Sequence, residues 1–209
     1  LVFTNPDFYC VAAAATGDAL LGPLFPPNIF NQPSQGLYTL PAVLERANQI
    51  PLVALVAGHY FQAAMSIKAE PNWYRIPTPG QARCAEEGFL RLTDGTWLMG
   101  FGRQNGNFAC VNVEDGAVRW ELPVDASCSD VVACDIDGDG QTEFVFGTSH
   151  GALYAVGDGG DKPRVVWKAQ LTGSAGAPII ADLTGDGKAD IAVPTTDGYI
   201  TMYASPVSP

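Results

Sequence analysis

The sequence predicts an all-β fold of the β-propeller class, built from four-stranded blades. Short apolar runs of β-prone residues alternate with turns, and the 209 residues include 23 glycines and 16 prolines. A pattern also recurs every 47 residues, since this interval separates Trp73 from Trp120, Trp120 from Trp167, and Asp135 from Asp182. Repeats of about 40–50 residues holding four strands each are typical of propeller blades, which pack face to face around an axis.

The clearest repeat contains four predicted strands, and an acidic loop joins the first two. These strands are Val131–Cys134, Glu143–Gly147, Ala152–Val156 and Arg164–Trp167. The preceding repeat supplies the later three strands, with a Glu114-Asp-Gly116 hairpin turn before the last. Its strands are Trp97–Gly102, Phe108–Val113 and Ala117–Trp120. An earlier, degenerate copy has residues 45–49 in place of the acidic loop. Its strands are Leu40–Glu45, Leu52–Ala57 and Tyr60–Ile67.

This periodicity predicts about four blades, forming part of a larger ring or one completed by another chain, because propellers close with about four to eight blades. Phe8–Ala12 and Ala19–Leu21 are expected to be the last two strands of a preceding blade. An alternative is that these N-terminal strands complete the C-terminal blade. The expected divisions are a partial blade over 1–25, a Pro-rich loop over 22–36, blades at about 37–76, 80–123, 126–170 and 174–205, and a linker-like tail over 206–209.

Two nine-residue loops, 135–143 and 182–190, place oxygen-bearing side chains at positions 1, 3, 5 and 9 and glycines at 4 and 6. Alternate acids on a tight glycine loop bring negative charge to one centre, and Ca²⁺ takes six to eight oxygen ligands. The sequence therefore predicts two calcium sites. The predicted ligands are Asp135, Asp137, Asp139, Glu143 and the Gln141 carbonyl in the first, and Asp182, Thr184, Asp186, Asp190 and the Lys188 carbonyl in the second.

Two alternatives compete with this interpretation. An EF-hand opens similarly but requires a glutamate at position 12 and flanking helices; position 12 is Phe146 in one loop and Val193 in the other, each within a strand-like run. The loops could also be aspartate-rich turns that bind no metal, since Asp and Gly favour turns. Thr184 makes the second loop the weaker match.

The chain resembles FG-GAP (integrin α-type) propeller repeats, through Phe101-Gly102, Phe146-Gly147 and Gly176-Ala-Pro178 together with the two acidic loops. Val113–Gly116 followed by Trp120, and residues 14–18, also resemble the pyrroloquinoline-quinone-type propeller repeat. The FG-GAP resemblance implies that Ca²⁺ is bound on the blade with a structural role, and that the blades serve adhesion or carbohydrate binding.

The composition excludes some functions and leaves others open. A net charge of −11 with only 11 Lys and Arg argues against binding to nucleic acid. Residues 47–67 contain almost no charge, so a membrane span or a buried helix is an alternative, but Pro51 and Gly58 favour two strands and no membrane span. The five cysteines fit small core residues or disulfides whose pairing the sequence does not assign.

Catalytic candidates are weak, and an enzyme is the less favoured interpretation. His59 and Tyr60, or His150, could supply the acid and base of a propeller-type polysaccharide lyase acting on uronate-containing glycans, which is the alternative function. The surface-turn interpretation of both histidines is preferred. Trp97 and Tyr199 are candidates for stacking on a sugar, while the three periodic tryptophans are expected to pack between blades.

The favoured hypothesis is a secreted calcium-binding propeller that acts as a binding, adhesive or structural module of a cell surface or extracellular assembly. Its expected partner is a protein or glycan ligand at a cell surface or matrix. Self-association, or a partner chain that completes the propeller, is also expected, because an open end exposes strand edges and an apolar blade face.

Overall fold

The computed structural model describes residues 2–4, 10–12, 42–49, 51–57, 61–66, 71–75, 87–103, 106–124 and 126–204. All regular structure in these ranges is β-strand. The strands form one two-stranded hairpin, three four-stranded sheets and one three-stranded sheet, and every sheet is an antiparallel meander in chain order. The predicted all-β propeller class is confirmed, and the sheets do not close into a ring within the described part of the chain.

The strands are named here in chain order. The N-terminal hairpin consists of β1 (Val2–Thr4) and β2 (Cys10–Ala12). Sheet 1 consists of β3 (Ala42–Leu44), β4 (Leu52–Ala57), β5 (Phe61–Ser66) and β6 (Pro71–Arg75). Sheet 2 consists of β7 (Gly88–Arg91), β8 (Trp97–Gly102), β9 (Asn107–Asn112) and β10 (Val118–Pro123). Sheet 3 consists of β11 (Val132–Cys134), β12 (Glu143–Gly147), β13 (Ala152–Asp158) and β14 (Pro163–Gln170). Sheet 4 consists of β15 (Ile179–Ala181), β16 (Asp190–Pro194) and β17 (Ile200–Tyr203).

The uncharged stretch over residues 47–67 forms β4 and β5, so the helical alternative for this stretch is wrong. No helix in the described ranges is long and apolar enough to cross a membrane. At the N-terminus, β2 pairs with β1, with Phe3 opposite Val11. The sequence did not predict β1, and the predicted strand Ala19–Leu21 lies outside the described residues.

The Phe-Gly pairs at the ends of β8 and β12 join neighbouring sheets. Phe101 and Phe146 are fully buried between sheets. The glycine after each phenylalanine lies where the chain leads into the next sheet: a Cβ on Gly102 would be 2.4 Å from the Cβ of Cys128, and a Cβ on Gly147 would be 2.5 Å from the Cβ of Ala175. The aromatic ring fills the inter-sheet core, and the glycine permits the next segment to approach.

Alternation along the strands gives sheets 2 and 3 two apolar faces each. In sheet 3, Phe144 and Phe146 lie in the core shared with sheet 2, whereas Val145, Leu153 and Ala155 lie in the core shared with sheet 4. This two-sided burial follows from the period of two residues in a strand. It explains why these strands are almost continuously hydrophobic.

Sheet 4 differs from sheet 3 on its outer face, the face that carries Ile200 and Met202. Ile200 and Met202 occupy the repeat positions of Leu153 and Ala155, which are fully buried, yet they are 75% and 53% exposed. Ile179 in the same sheet is 62% exposed. The residues that another blade covers in sheet 3 are therefore open to solvent in sheet 4.

The tryptophan of β10 ties sheet 2 to sheet 3 through Asp158, a carboxylate at the end of β13. The Trp120 indole N–H donates to Asp158 Oδ1 over 2.8 Å, and the Arg119 guanidinium donates to both carboxylate oxygens, each over 2.8 Å. Burial alone would raise the pKa of Asp158, but the bonds from Arg119 and Trp120 outweigh burial and hold it below its usual value. The pair therefore stays charged at neutral pH and joins the edge strand of sheet 2 to the end of β13 in sheet 3.

Other aromatic side chains also lie between sheets. The ring of Trp167 contacts Tyr203 of sheet 4 edge-on, with centroids 4.9 Å apart. The indole N–H of Trp97 donates to the Glu45 carbonyl over 2.8 Å, and its ring packs on the core between sheets 1 and 2. Trp97 is thus an inter-sheet residue rather than an exposed sugar platform, while Tyr199 is 69% exposed. Three cysteines in the described part are free thiols: Cys110, Cys128 and Cys134.

Candidate metal centre

The two acidic loops occupy equivalent places in sheets 3 and 4. The first loop, residues 135–143, joins β11 to β12, and the second loop, residues 182–190, joins β15 to β16. Each pair of flanking strands is antiparallel and in register, with Cys134 opposite Glu143 and Ala181 opposite Asp190. A loop between two strands does not fit the helix pair of an EF-hand, so that alternative is wrong.

Glycines give both loops their tight curvature. Gly138 and Gly140 have φ of 75° and 83°, and Gly185 and Gly187 have φ of 80° and 82°. Residues other than glycine rarely adopt this left-handed backbone conformation, because their Cβ crowds the backbone. Loop positions 4 and 6 therefore require glycine for conformation rather than for space.

The aspartate at loop position 1 braces the turn in both copies. Asp135 Oδ1 accepts from the Gly138 N–H over 2.7 Å, and its Oδ2 accepts from the Gly140 N–H over 2.9 Å. Asp182 accepts in the same way from the amides of Gly185 and Gly187, over 2.6 and 2.9 Å. Each carboxylate oxygen has a second lone-pair direction, so these bonds leave acceptor capacity for a cation.

The carboxylates of the first loop converge. One oxygen from each of Asp135, Asp137 and Glu143 lies within 4.8 Å of the other two, and Glu143 is fully buried. Asp137 Oδ1 accepts from the Asp139 N–H over 3.1 Å, which places both residues on the same turn. An all-oxygen donor set with this much negative charge suits a hard divalent cation such as Ca²⁺. The first loop therefore fits the predicted ion.

Sequence comparison identifies the repeat that carries both loops. The family model of the FG-GAP-like repeat matches residues 135–193. Residues 135–193, which hold both acidic loops, are therefore similar to an FG-GAP-like repeat. This match confirms the resemblance inferred from the Phe-Gly pairs and the acidic loops. A separate comparison with curated protein sequences found no significant match to the chain.

Solved structures support the propeller fold around this FG-GAP-like repeat. Sqt1 of Saccharomyces cerevisiae aligns with a TM-score of 0.67 and 13% identity, over 98% of this chain and 54% of Sqt1. BBS1N, solved in complex with ARL6DN, aligns with a TM-score of 0.59 and 11% identity, over 97% of this chain and 63% of that one. The designed protein Ika4 gives a TM-score of 0.51 and 10% identity, over 81% and 94%. This chain thus spans about half of Sqt1.

In the second acidic loop, hydrogen bonds hold the acidic side chains in place, and these side chains converge less than those of the first loop. Asp190 is fully buried, and its Oδ2 accepts from the N–H groups of Leu183 and Thr184, each over 2.8 Å. Asp186 Oδ1 accepts from the Lys188 N–H over 2.9 Å. Within the described ranges, the first loop alone brings three acidic side chains within 4.8 Å. The second loop has the same turn but a looser donor set, which agrees with its weaker sequence match.

The two residues predicted to supply carbonyl ligands, Gln141 and Lys188, are exposed. The Gln141 N–H donates to Asp139 Oδ1 over 2.7 Å, as Lys188 donates to Asp186 in the second loop. The Gln141 side-chain amide also donates to Asp139 Oδ2 over 3.2 Å. Both residues therefore stabilise the carboxylate at loop position 5 through their N–H groups.

An arginine that the sequence analysis missed reaches the first loop. Arg164 of β14 donates to Glu143 Oε1 over 2.9 Å, and its guanidinium nitrogens lie 3.2 Å from Asp139 Oδ2 and 3.6 Å from Asp137 Oδ2. The signal in the sequence was a glycine, Gly157, opposite Arg164 in the strand register. A glycine in an otherwise apolar strand marks close approach of another group.

Burial makes the ionised Glu143 side chain depend on nearby positive charge and hydrogen bonds. Burial raises the pKa of Glu143 to about 7; the hydrogen bond from the Ile136 N–H opposes the rise, Asp137 adds to it, Arg164 opposes it and Asp139 adds to it. A buried carboxylate is tolerated only when a cation or hydrogen bonds compensate its lost hydration. In this loop, the Ile136 N–H and the Arg164 guanidinium supply part of that compensation.

Among the candidate catalytic residues, His150 is the one that the structure describes. His150 lies exposed in the turn after β12, where its carbonyl accepts from the Gln170 side chain over 2.9 Å. His59 and Tyr60 lie outside the described residues. A cleft of about 200 Å³ adjoins the first loop, between Gly140–Thr142 and Leu90–Asp94 of sheet 2. His150 is not among the residues lining this cleft.

Proposed function

We propose that this chain is an extracellular binding or structural module whose FG-GAP-like repeat is stabilised by calcium at its two acidic loops. The observation that carries the proposal is the convergence of Asp135, Asp137 and Glu143 on one point of the first loop. The recurrence of the same glycine turn and the same aspartate brace 47 residues later supports a second site.

The role proposed for the ion is structural. Asp135, Asp137, Asp139 and Glu143 would hold the first ion, and Asp182, Thr184, Asp186 and Asp190 the second, with the carbonyls of Gln141 and Lys188 completing the sets. Ca²⁺ bound there supplies charge neutralisation at the point where the chain turns from the first strand of a blade to the second. Since β12 and β16 lie inside their blades, fixing that turn stabilises the sheet.

Calcium titration by calorimetry tests the two sites. We expect two ions per chain for the natural sequence, one for Asp137→Ala and one for Asp186→Ala, because each variant removes an anionic oxygen ligand from one loop. Asp115→Ala is the matched control, because Asp115 is an exposed acid in an Asp-Gly turn outside both loops. This control should retain two ions.

The same titration also tests the proposed extracellular location of the protein. Extracellular calcium modules bind with dissociation constants of about 10⁻⁴–10⁻³ M, and intracellular buffers bind near 10⁻⁹–10⁻⁸ M. We infer an extracellular location on the expectation that the loops bind calcium with dissociation constants in the weaker of these two ranges. The absence of heat from any calcium addition would refute the calcium proposal, and nanomolar affinity would remove the argument for the extracellular location.

The ligand proposed for the module is a protein or glycan at a cell surface or matrix, on the likeness to FG-GAP-like repeats alone. A more specific partner is proposed for the outer face of sheet 4. Because Ile200 and Met202 occupy positions that the next blade buries in sheet 3, the fitting occupant is another blade of the same kind. A second copy of this chain supplies such a blade, and this chain spans about half of Sqt1.

Light scattering tests self-association directly. The chain has a mass of 22.0 kDa, so a dimer should give twice that mass, and Ile200→Glu should return it to the monomer because a charge cannot be buried in an apolar interface. Val118→Glu is the control, since Val118 is 43% exposed on β10 rather than in sheet 4. A natural-sequence monomer at about 100 μM, a concentration at which weak interfaces form, would exclude the second copy as the partner.

A further inference from the structure

Arg164 reaches the first acidic loop from β14, the edge strand of sheet 3. It lies on β14, and Glu143 lies on β12, so the side chain crosses β13 to make its contacts. It crosses at Gly157, where an added Cβ would lie 3.0 Å from Arg164 Nη2 and 3.2 Å from Glu143 Oε1. The glycine leaves the space through which the guanidinium and the buried carboxylate meet.

The guanidinium contacts three of the four acids in the loop. The Arg164 side chain is 38% exposed, while those of Asp137, Asp139 and Glu143 are 13%, 33% and 0% exposed. Within the described part of the chain, Arg164 supplies all the ion pairs recorded for these three acids. One arginine therefore offsets part of the repulsion among carboxylates held within a few ångströms of each other.

We propose that Arg164 is a built-in counter-ion of the first acidic loop, which holds the loop closed without an ion and lowers its affinity for a divalent cation. The guanidinium and a calcium ion both take Glu143 and Asp139 as partners, so each weakens the other. The first half of this statement stands on the ion pairs alone, whereas the second rests on the calcium binding proposed above.

The first half is tested in chelator, where no calcium can act. We expect Arg164→Gln to lower the melting temperature in EDTA by about 6 °C or more, since it leaves the buried Glu143 without its cation. Arg164→Lys should recover part of the loss, because it retains the charge but not the forked geometry. Lys162→Gln is the matched control: it removes an exposed cation two residues away and should leave the melting temperature unchanged.

Calcium titration of the same variants tests the second half. Arg164→Gln should bind calcium at the first loop roughly tenfold more tightly than the natural sequence, since a positive charge next to the ion is removed. To observe this loop alone, the titration is made on the Asp186→Ala background. Lys162→Gln should bind with unchanged affinity.

The outcomes separate this inference from the calcium proposal. If neither Arg164→Gln nor its parent binds calcium while the variant still melts earlier in EDTA, the calcium proposal fails and the structural role of Arg164 stands. If Arg164→Gln melts as the parent does in EDTA, the counter-ion role is wrong. If it melts earlier yet binds calcium no more tightly than the parent, competition between arginine and ion is wrong.

Discussion

Removing calcium is expected to lower the melting temperature of this protein by about 5–11 °C for each occupied loop. A ligand that binds only the folded state stabilises it by about 2.7 kcal/mol when its free concentration is 100 times the dissociation constant. For a chain of about 200 residues, 1 kcal/mol corresponds to roughly 2–4 °C. Thermal unfolding in excess Ca²⁺ and in EDTA, followed by circular dichroism, measures the shift.

Two comparisons make the calcium experiment specific. Magnesium at the same concentration should restore much less stability, because Mg²⁺ demands near-ideal octahedral geometry and keeps several of its waters. The double variant Asp137→Ala and Asp186→Ala should melt at one temperature with or without calcium. A natural-sequence curve that is indifferent to EDTA would leave both acidic loops as metal-free turns.

Replacing Phe146 by alanine is expected to destabilise the fold by about 3–5 kcal/mol, the usual cost of deleting a buried aromatic ring. The ring is fully buried between sheets 2 and 3, and it stacks on Phe108 with centroids 4.1 Å apart and on Tyr154 at 5.4 Å. Alanine removes both contacts and leaves a cavity that the rigid sheets cannot close. Urea denaturation at constant calcium measures the change.

Two control variants distinguish the loss of packing at Phe146 from a general sensitivity of the fold to substitution. Phe146→Leu keeps most of the apolar volume and should cost clearly less than alanine. Val118→Ala shortens a side chain that is 43% exposed on β10 and should change the unfolding free energy by less than about 0.5 kcal/mol. A loss below about 1 kcal/mol for Phe146→Ala would show that the inter-sheet core does not depend on this ring.

Much of the fold could be predicted from local pattern. The bounds of β4 and β12 agree with their predicted ranges, because each is an apolar β-prone run with clear turn signals beside it. The predicted strand Arg164–Trp167 was too short, since the structure extends β14 over Pro163–Gln170. Polar residues at its ends pair with β13 through the backbone, and side-chain hydropathy does not record backbone pairing.

The sequence likewise predicted one part of the candidate site and missed another. The glycines and carboxylates of the acidic loops are close in sequence, and their spacing alone predicted the turn and the convergence of Asp135, Asp137 and Glu143. Arg164 could not be assigned to that centre, because it is 21 residues from Glu143 and two strands away. The link between Trp120 and Asp158 spans 38 residues for the same reason.

The sequence by itself determined the 47-residue repeat, because similar residues recur at that interval along the chain. It also determined the blade-like strand pattern and the acidic turns, because each strand or turn depends on residues close together in the chain. Tertiary structure alone decided which charges meet across a sheet, that β2 pairs with β1, and that the outer face of sheet 4 is open. These features depend on which strands become neighbours. Burial and distance in three dimensions then set their energies, and no local pattern encodes either quantity.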